Sequence, residues 1–185
     1  ITAQGSYGLE LTGLDDIFDT DAEMLYGNTR DGNDWLNPYV DENAGEISDV
    51  MLTKAIMQQE DNYNVNINYI RAGNEAYHAY AEYLEKRVRL VNTTKLEGGY
   101  EALKIGERIF IRSKFMQPDA IDLLDTEKFF IDQVAEWDWI PKGGIFNQIA
   151  NTPTYSATLT KYADLMCINP AGQARLMGIT APTGT

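Results

Sequence analysis

Asp19, Asp21 and Glu23 have the spacing of the first three ligands of an EF-hand loop, and calcium needs hard oxygen donors placed this way. The pattern then stops. Its sixth position is Met24 where the loop's turn requires glycine, and its twelfth is Arg30 where a bidentate glutamate belongs. A solvated acidic loop explains these carboxylates better. Glu136, Trp137, Asp138 and Trp139 set two carboxylates beside two indoles, the ingredients of a sugar site. On a strand, however, Glu136 and Asp138 share one face, and Trp137 and Trp139 share the other. Glycoside hydrolysis needs acids and rings turned to one cleft, with the carboxyls of a retaining enzyme about 5 Å apart. A strand with a buried aromatic face and an exposed acidic face accounts for the same residues.

His78 is the chain's one histidine and lies beside the apolar stripe of a predicted helix. No G-x-S-x-G elbow accompanies it. Cys167, the one cysteine, sits in the run Leu165-Met166-Cys167-Ile168 with nothing cationic adjacent, as a buried structural thiol would. Gly98-Gly99 and Gly143-Gly144 read as turns, and no phosphate-cradling G-x-x-x-x-G-K occurs. No catalytic residue, cofactor site or metal site is expected. A chain this rich in aromatics and so poor in catalytic groups points to binding or assembly.

The elements that would carry such a role follow from periodicity. Ser48 can cap a helix over Ile47–Gln59, with Ile47 stapled to Leu52 and with Met51, Ala55 and Ile56 on the same face. Over Asn64–Ile70 the period becomes two, with Val65, Ile67 and Tyr69 alternating with asparagines, which predicts a half-buried strand. Asn74 can cap a second helix, Glu75–Leu90, whose stripe is Tyr77, Tyr80, Ala81, Leu84 and Val88. Strands are predicted over Arg108–Phe115, Lys128–Trp139 and Thr154–Leu159, the last extending toward Cys167. Asn169-Pro170 breaks that strand, and Ala171–Leu176 is expected as a short helical turn. The first 45 residues, rich in Gly, Asn and Asp, read as irregular structure with short elements. The fold class is α+β with a mostly antiparallel sheet.

Composition bounds the function. Fifteen basic and 28 acidic residues in 185 give a net charge of −13, so a broad basic face for nucleic acid is not expected. Single Cys and His residues exclude an intrachain disulfide and a histidine-rich metal site. No apolar run is long enough to span a membrane. The chain opens on Ile1, and Ile1–Gly13 lacks the basic and apolar regions of a signal peptide, so further residues are expected before it.

Several short segments follow one another along the chain: Gly13-Leu14-Asp15-Asp16-Ile17-Phe18, Leu25-Tyr26-Gly27, Trp35-Leu36-Asn37-Pro38-Tyr39-Val40-Asp41, and Trp137-Asp138-Trp139. Tyr155-Ser156-Ala157-Thr158-Leu159, Asn169-Pro170-Ala171 and Ala174-Arg175-Leu176-Met177-Gly178-Ile179 complete the series. Read in this order, they resemble the major capsid protein of tailed bacteriophages, the Hong Kong 97-like shell fold. The resemblance implies that residues 1–60 belong to the peripheral domain, with 47–59 as its spine helix. Residues 61–168 would be mainly axial domain, with strands returning to the peripheral one, and 169–185 a C-terminal tail. It further implies a phage or prophage capsid subunit without enzymatic activity, assembled in the bacterial host cytoplasm and ending in the virion. Its partners would be itself, in hexamers and pentamers, together with scaffolding, portal and decoration proteins, enclosing DNA without reading its sequence. No membrane or cofactor is implied. Arg71, Arg87, Arg89, Trp35, Tyr39 and Arg175 are the expected subunit-interface residues, the arginines pairing with the acidic excess of neighbours. An encapsulin-type compartment shell resembles the same fold and is the alternative within assembly proteins. A carbohydrate-binding or carbohydrate-processing domain around Trp137 and Trp139 is the alternative from another class.

Overall fold

The structure, a computed structural model, describes residues 11–87, 93–95, 101–140, 146–149 and 153–183. Its first part is a string of short pieces, as the Gly, Asn and Asp content predicts. They are helix α1 (Leu14–Phe18), a hairpin of β1 (Met24–Leu25) and β2 (Asn28–Thr29), a 3-10 turn (Asp34–Leu36), β3 (Tyr39–Asp41) and β4 (Gly45–Glu46). Helix α2 (Asp49–Tyr63), β5 (Tyr69–Ala72) and α3 (Asn74–Arg87) follow, then β6 (Thr93–Lys95), β7 (Glu101–Ile105), β8 (Arg108–Arg112) and β9 (Ile121–Leu124). The rest is β10 (Phe129–Ile140), β11 (Asn147–Gln148), β12 (Tyr155–Ser156), β13 (Thr158–Cys167), β14 (Ala174–Leu176) and β15 (Ile179–Thr180).

Ser48 starts α2 as its sequence position predicts: its Oγ accepts the Met51 amide at 3.2 Å. The helix runs a turn beyond Gln59 and ends at Asn64, whose φ of 50° is the left-handed conformation that asparagine tolerates at a helix end. Helix α3 begins at Asn74. The Glu75 and Ala76 amides donate to the Pro118 carbonyl at 2.9 and 3.0 Å, while Asn74 Oδ1 accepts from Arg112. Of the second predicted helix, residues 88–90 lie outside the described residues, as do Gly98, Gly99, Gly143 and Gly144.

The main sheet has seven strands in the order β3-β14-β9-β5-β8-β7-β6. The β3–β14 and β5–β8 pairs are parallel and the other pairings antiparallel, so the sheet is mixed with an antiparallel majority. Two sequence expectations change here. Residues 174–176 form a strand and not a helical turn; the helical turn is confined to a 3-10 segment, Pro170–Gly172. The segment expected as a tail therefore enters the sheet, with β14 inserted between β3 and β9. Likewise only Tyr69–Ala72 joins the ladder, although Val65 and Ile67 are buried in alternation as the period of two predicts. Against the sheet pack α2 and α3, through Leu52, Ile56, Ile70, Tyr80, Phe110 and Leu123. The Tyr80 and Phe110 ring centroids lie 4.7 Å apart. A smaller cluster of Ile17, Leu25, Leu36 and Cys167 sits at the base of β10 and β13.

Candidate assembly surface

Strands β10 and β13 form a two-stranded arm that pairs with no other strand among the described residues. Its root is fixed. Phe129 lies opposite Cys167 and packs on the smaller cluster, and the Cys167 amide donates to the Tyr26 hydroxyl at 2.9 Å. Arg30 braces that cluster by donating to the carbonyls of Asp16, Ile17 and Leu36 at 2.7–3.0 Å. Away from the root, apolar side chains stand in the open: Val134 is 90% and Trp137 62% exposed, and Ile131, Trp139, Ile140, Leu159 and Tyr162 are also exposed.

Two irregularities set which side chains share a face. Register shifts fall between Gln133 and Ala135 and between Ala135 and Asp138. Each places an extra β10 residue against β13, which bends the strand and resets the alternation of its side chains. Ile131 therefore pairs with Leu165 and Trp139 with Leu159 on one face, while Ala135, Asp138 and Ile140 pair with Tyr162, Thr160 and Thr158 on the other. The strict alternation expected for Glu136–Trp139 does not hold, nor does the expected buried aromatic face. Glu136 accepts from Gln133 at 2.8 Å, the Asp138 carboxylate accepts from the adjacent Trp139 amide, and Lys161 Nζ lies 6.0 Å from the Trp137 ring. Both indoles are exposed on this two-stranded ribbon.

Of the expected interface residues, the structure brings Arg71 and Arg175 together, on Asp122, and sets the other described ones apart. Trp35 is exposed and donates its Nε1 proton to Asn33, whereas Tyr39 is half-buried in β3 against the main core. Arg71 and Arg175 turn inward to Asp122, which is fully buried. Arg71 is 5% exposed and its guanidinium is committed to Asp122 inside the subunit. Arg87 is the last residue of α3, and Arg89 lies outside the described residues. Arg175 also donates to Asp15 at 2.7 Å and lies 4.4 Å from the centroid of the Phe18 ring. Burial by itself lowers its guanidinium, but the hydrogen bonds and charge of Asp122, with Asp15, outweigh that and hold it above the ordinary arginine value. The Asp122 hub escapes a reading by motif. Its one signal is an aspartate inside the apolar run Ala120-Ile121-Asp122-Leu123-Leu124, which calls for a buried cationic partner.

Of the other sequence candidates, Asp19 accepts the Asp21 and Ala22 amides in a local turn. Among the described residues no group of three or more His, Cys, Asp and Glu side chains is placed to hold a metal. His78 is exposed and meets Tyr77 edge-on at 6.2 Å. Cys167 is buried, and desolvation pushes its thiol up to about 12. Among the described residues no helix is long and apolar enough to cross a membrane.

No family model matches the chain, and no curated protein does. Solved structures do match, among them the holo-SrpI encapsulin complex from Synechococcus elongatus PCC 7942. The likeness to that encapsulin has a TM-score of 0.55 and 14% identity and covers 85% of this chain. The chain spans 61% of the encapsulin's length. At this identity the likeness shows the fold alone, and it agrees with the fold expected from the sequence.

Proposed function

We propose that this chain is part of the structural subunit of a phage or prophage icosahedral capsid, self-assembling into hexamers and pentamers that enclose DNA. The observation that carries the assembly role is the β10–β13 arm. A two-stranded ribbon is marginal in water on its own, and this one keeps apolar side chains open on both faces. Such a surface is stable in solution when another molecule covers it, and a chain with a shell-protein fold has copies of itself as the nearest supply. Closed rings need heterologous contacts, in which one patch meets a different patch on the next copy, and an arm reaching away from the core suits that geometry. The acidic balance fits an inner wall that leaves packed DNA free to slide. Scaffolding, portal and decoration proteins are the further partners of such a subunit, and its work is structural and not catalytic. The likeness to an encapsulin supports the second reading, a compartment shell that encloses protein cargo.

Negative-stain electron microscopy of the chain, alone and within the longest natural polypeptide that contains it, tests the proposal beside light scattering after size exclusion. Rings or closed shells are expected. Shells that carry DNA support the capsid reading, and shells that carry protein cargo the compartment one. A protein that stays monomeric in both forms, with its scaffold partner present, overturns self-assembly.

A further inference from the structure

The structure leaves a second apolar surface open besides the arm. On α2, Val50 is 67% and Met57 57% exposed, and Lys54 and Asp61 are exposed with them. The spacings of four, seven and eleven residues from Val50 put all four on one helical stripe. We infer that this stripe is the seat of the arm of a second copy, which lays its Trp139 and Leu159 face across it. The inference rests on the self-assembly reading and names its contact.

Both surfaces are exposed in one and the same molecule, so their union is between molecules. Made once by each copy to the next, a helix-to-arm contact is heterologous and repeats around a ring; exchanged reciprocally between two copies, it would close at a dimer, as arm against arm would. Charge fixes its direction. The helix stripe carries one cation and one anion, Lys54 and Asp61, about 10 Å apart along the axis. At its second bulge the arm carries Glu136 on β10 and Lys161 on β13. A helix crossing the two strands sets Lys54 toward Glu136 and Asp61 toward Lys161, and the length of the lysine side chains spans the difference between the two separations. The reverse crossing sets like charges together, which suppresses it.

Cysteine pairing between copies tests the contact. Met57→Cys and Leu159→Cys are made as separate single variants of the 185-residue chain, leaving the buried Cys167 in place, then mixed and oxidised. A dimer-mass species on a non-reducing gel is expected from the mixture and not from either variant alone. Cross-linking of Leu159→Cys with itself means arm-on-arm packing and overturns the inference. An assembling mixture without the cross-link also overturns it while self-assembly stands; a protein that never associates overturns both. Lys54→Glu is expected to weaken association about tenfold, and Glu136→Lys in the same chain to restore it. Failure of that rescue in a folded, assembling protein overturns the stated direction.

Discussion

Asp122 and Arg175 hold each other across the β9–β14 pair: Arg175 Nε donates to Asp122 Oδ1 at 2.7 Å, and its NH2 group reaches Oδ2 at 3.1 Å. Arg71 on β5 donates its Nε proton to Oδ2 from the other side at 3.0 Å. One buried carboxylate thus joins three adjacent strands, and Arg175 continues the chain of contacts to Asp15 at the foot of α1. Removing the carboxylate leaves two cations in the interior without their partner. Asp122→Asn is therefore expected to cost about 3–5 kcal/mol, the usual penalty for breaking a buried pair from one side. Urea unfolding followed by circular dichroism reads this directly. A loss under about 1 kcal/mol would mean that water already shares the charge.

Gly73 joins β5 to α3 where the chain passes under the 117–118 backbone. A Cβ at this position would lie 2.0 Å from the Gln117 carbonyl oxygen and 2.5 Å from that of Pro118. Backbone cannot swing aside as a side-chain tip can, and the Pro118 oxygen is also the acceptor for the first amides of α3. Gly73→Ala is expected to destabilise the protein by about 1–3 kcal/mol, the range for overpacking, and to lower the thermal midpoint by several degrees. Gly27→Ala is the control: nothing lies within 4 Å of its added Cβ, and its cost is limited to the strain of a φ of 76°.

What could be read in the sequence was local. Ser48 and the Leu52–Ile56 spacing locate the start and inner face of α2, because caps and helical stripes are written within a few residues. The shell-fold resemblance rested on the order of short motifs, and the capsid-like fold agrees with it. What escaped is long-range. Ala174–Leu176 is too short to announce itself as a strand and becomes one because β3 and β9 leave a slot between them. Arg71 and Arg175 looked like free surface cations because Asp122, their partner, is 51 and 53 residues away. Trp137 and Trp139 looked buried because a covering layer was assumed over one face of the strand, and β10 pairs with β13 alone among the described residues.

Alkaline pH weakens the fold through its buried acids. Cys167 is pushed up to about 12 by burial, and Tyr26 and Tyr80 are raised by burial as well. In the unfolded chain a thiol titrates near 8.5 and a phenol near 10. Above those values the unfolded state has released protons that the native state still holds, so stability is full below the unfolded pKa and falls as pH rises toward the folded one. The Cys167 contribution falls by about 1.4 kcal/mol per pH unit between roughly 8.5 and 12. Urea midpoints measured between pH 7 and pH 11 should decline, and Cys167→Ala should flatten the decline between pH 8.5 and 10. An unchanged slope in that variant would show that the thiol ionises as easily folded as unfolded.

Trp139→Ala separates assembly from folding and from sugar binding in one variant. The indole is 39% exposed and its cross-strand neighbour is Leu159, so truncation removes one cross-strand contact, worth about 0.2–1 kcal/mol, and leaves the core intact. Denaturation midpoints should therefore move little. Association should move much more, because a large aromatic near the centre of a contact is the kind of residue on which binding energy concentrates, commonly at 2 kcal/mol or more. Sedimentation of the variant beside the wild-type chain should show rings or shells replaced by smaller species at equal concentration. Val134→Ala sits at the first bulge and is 90% exposed, so it serves as the comparison within the same arm. If Trp139→Ala assembles normally but loses binding in a glycan array that the wild-type chain passes, the indole serves carbohydrate and the arm's role in assembly is wrong. If both functions survive, that face of the arm carries neither.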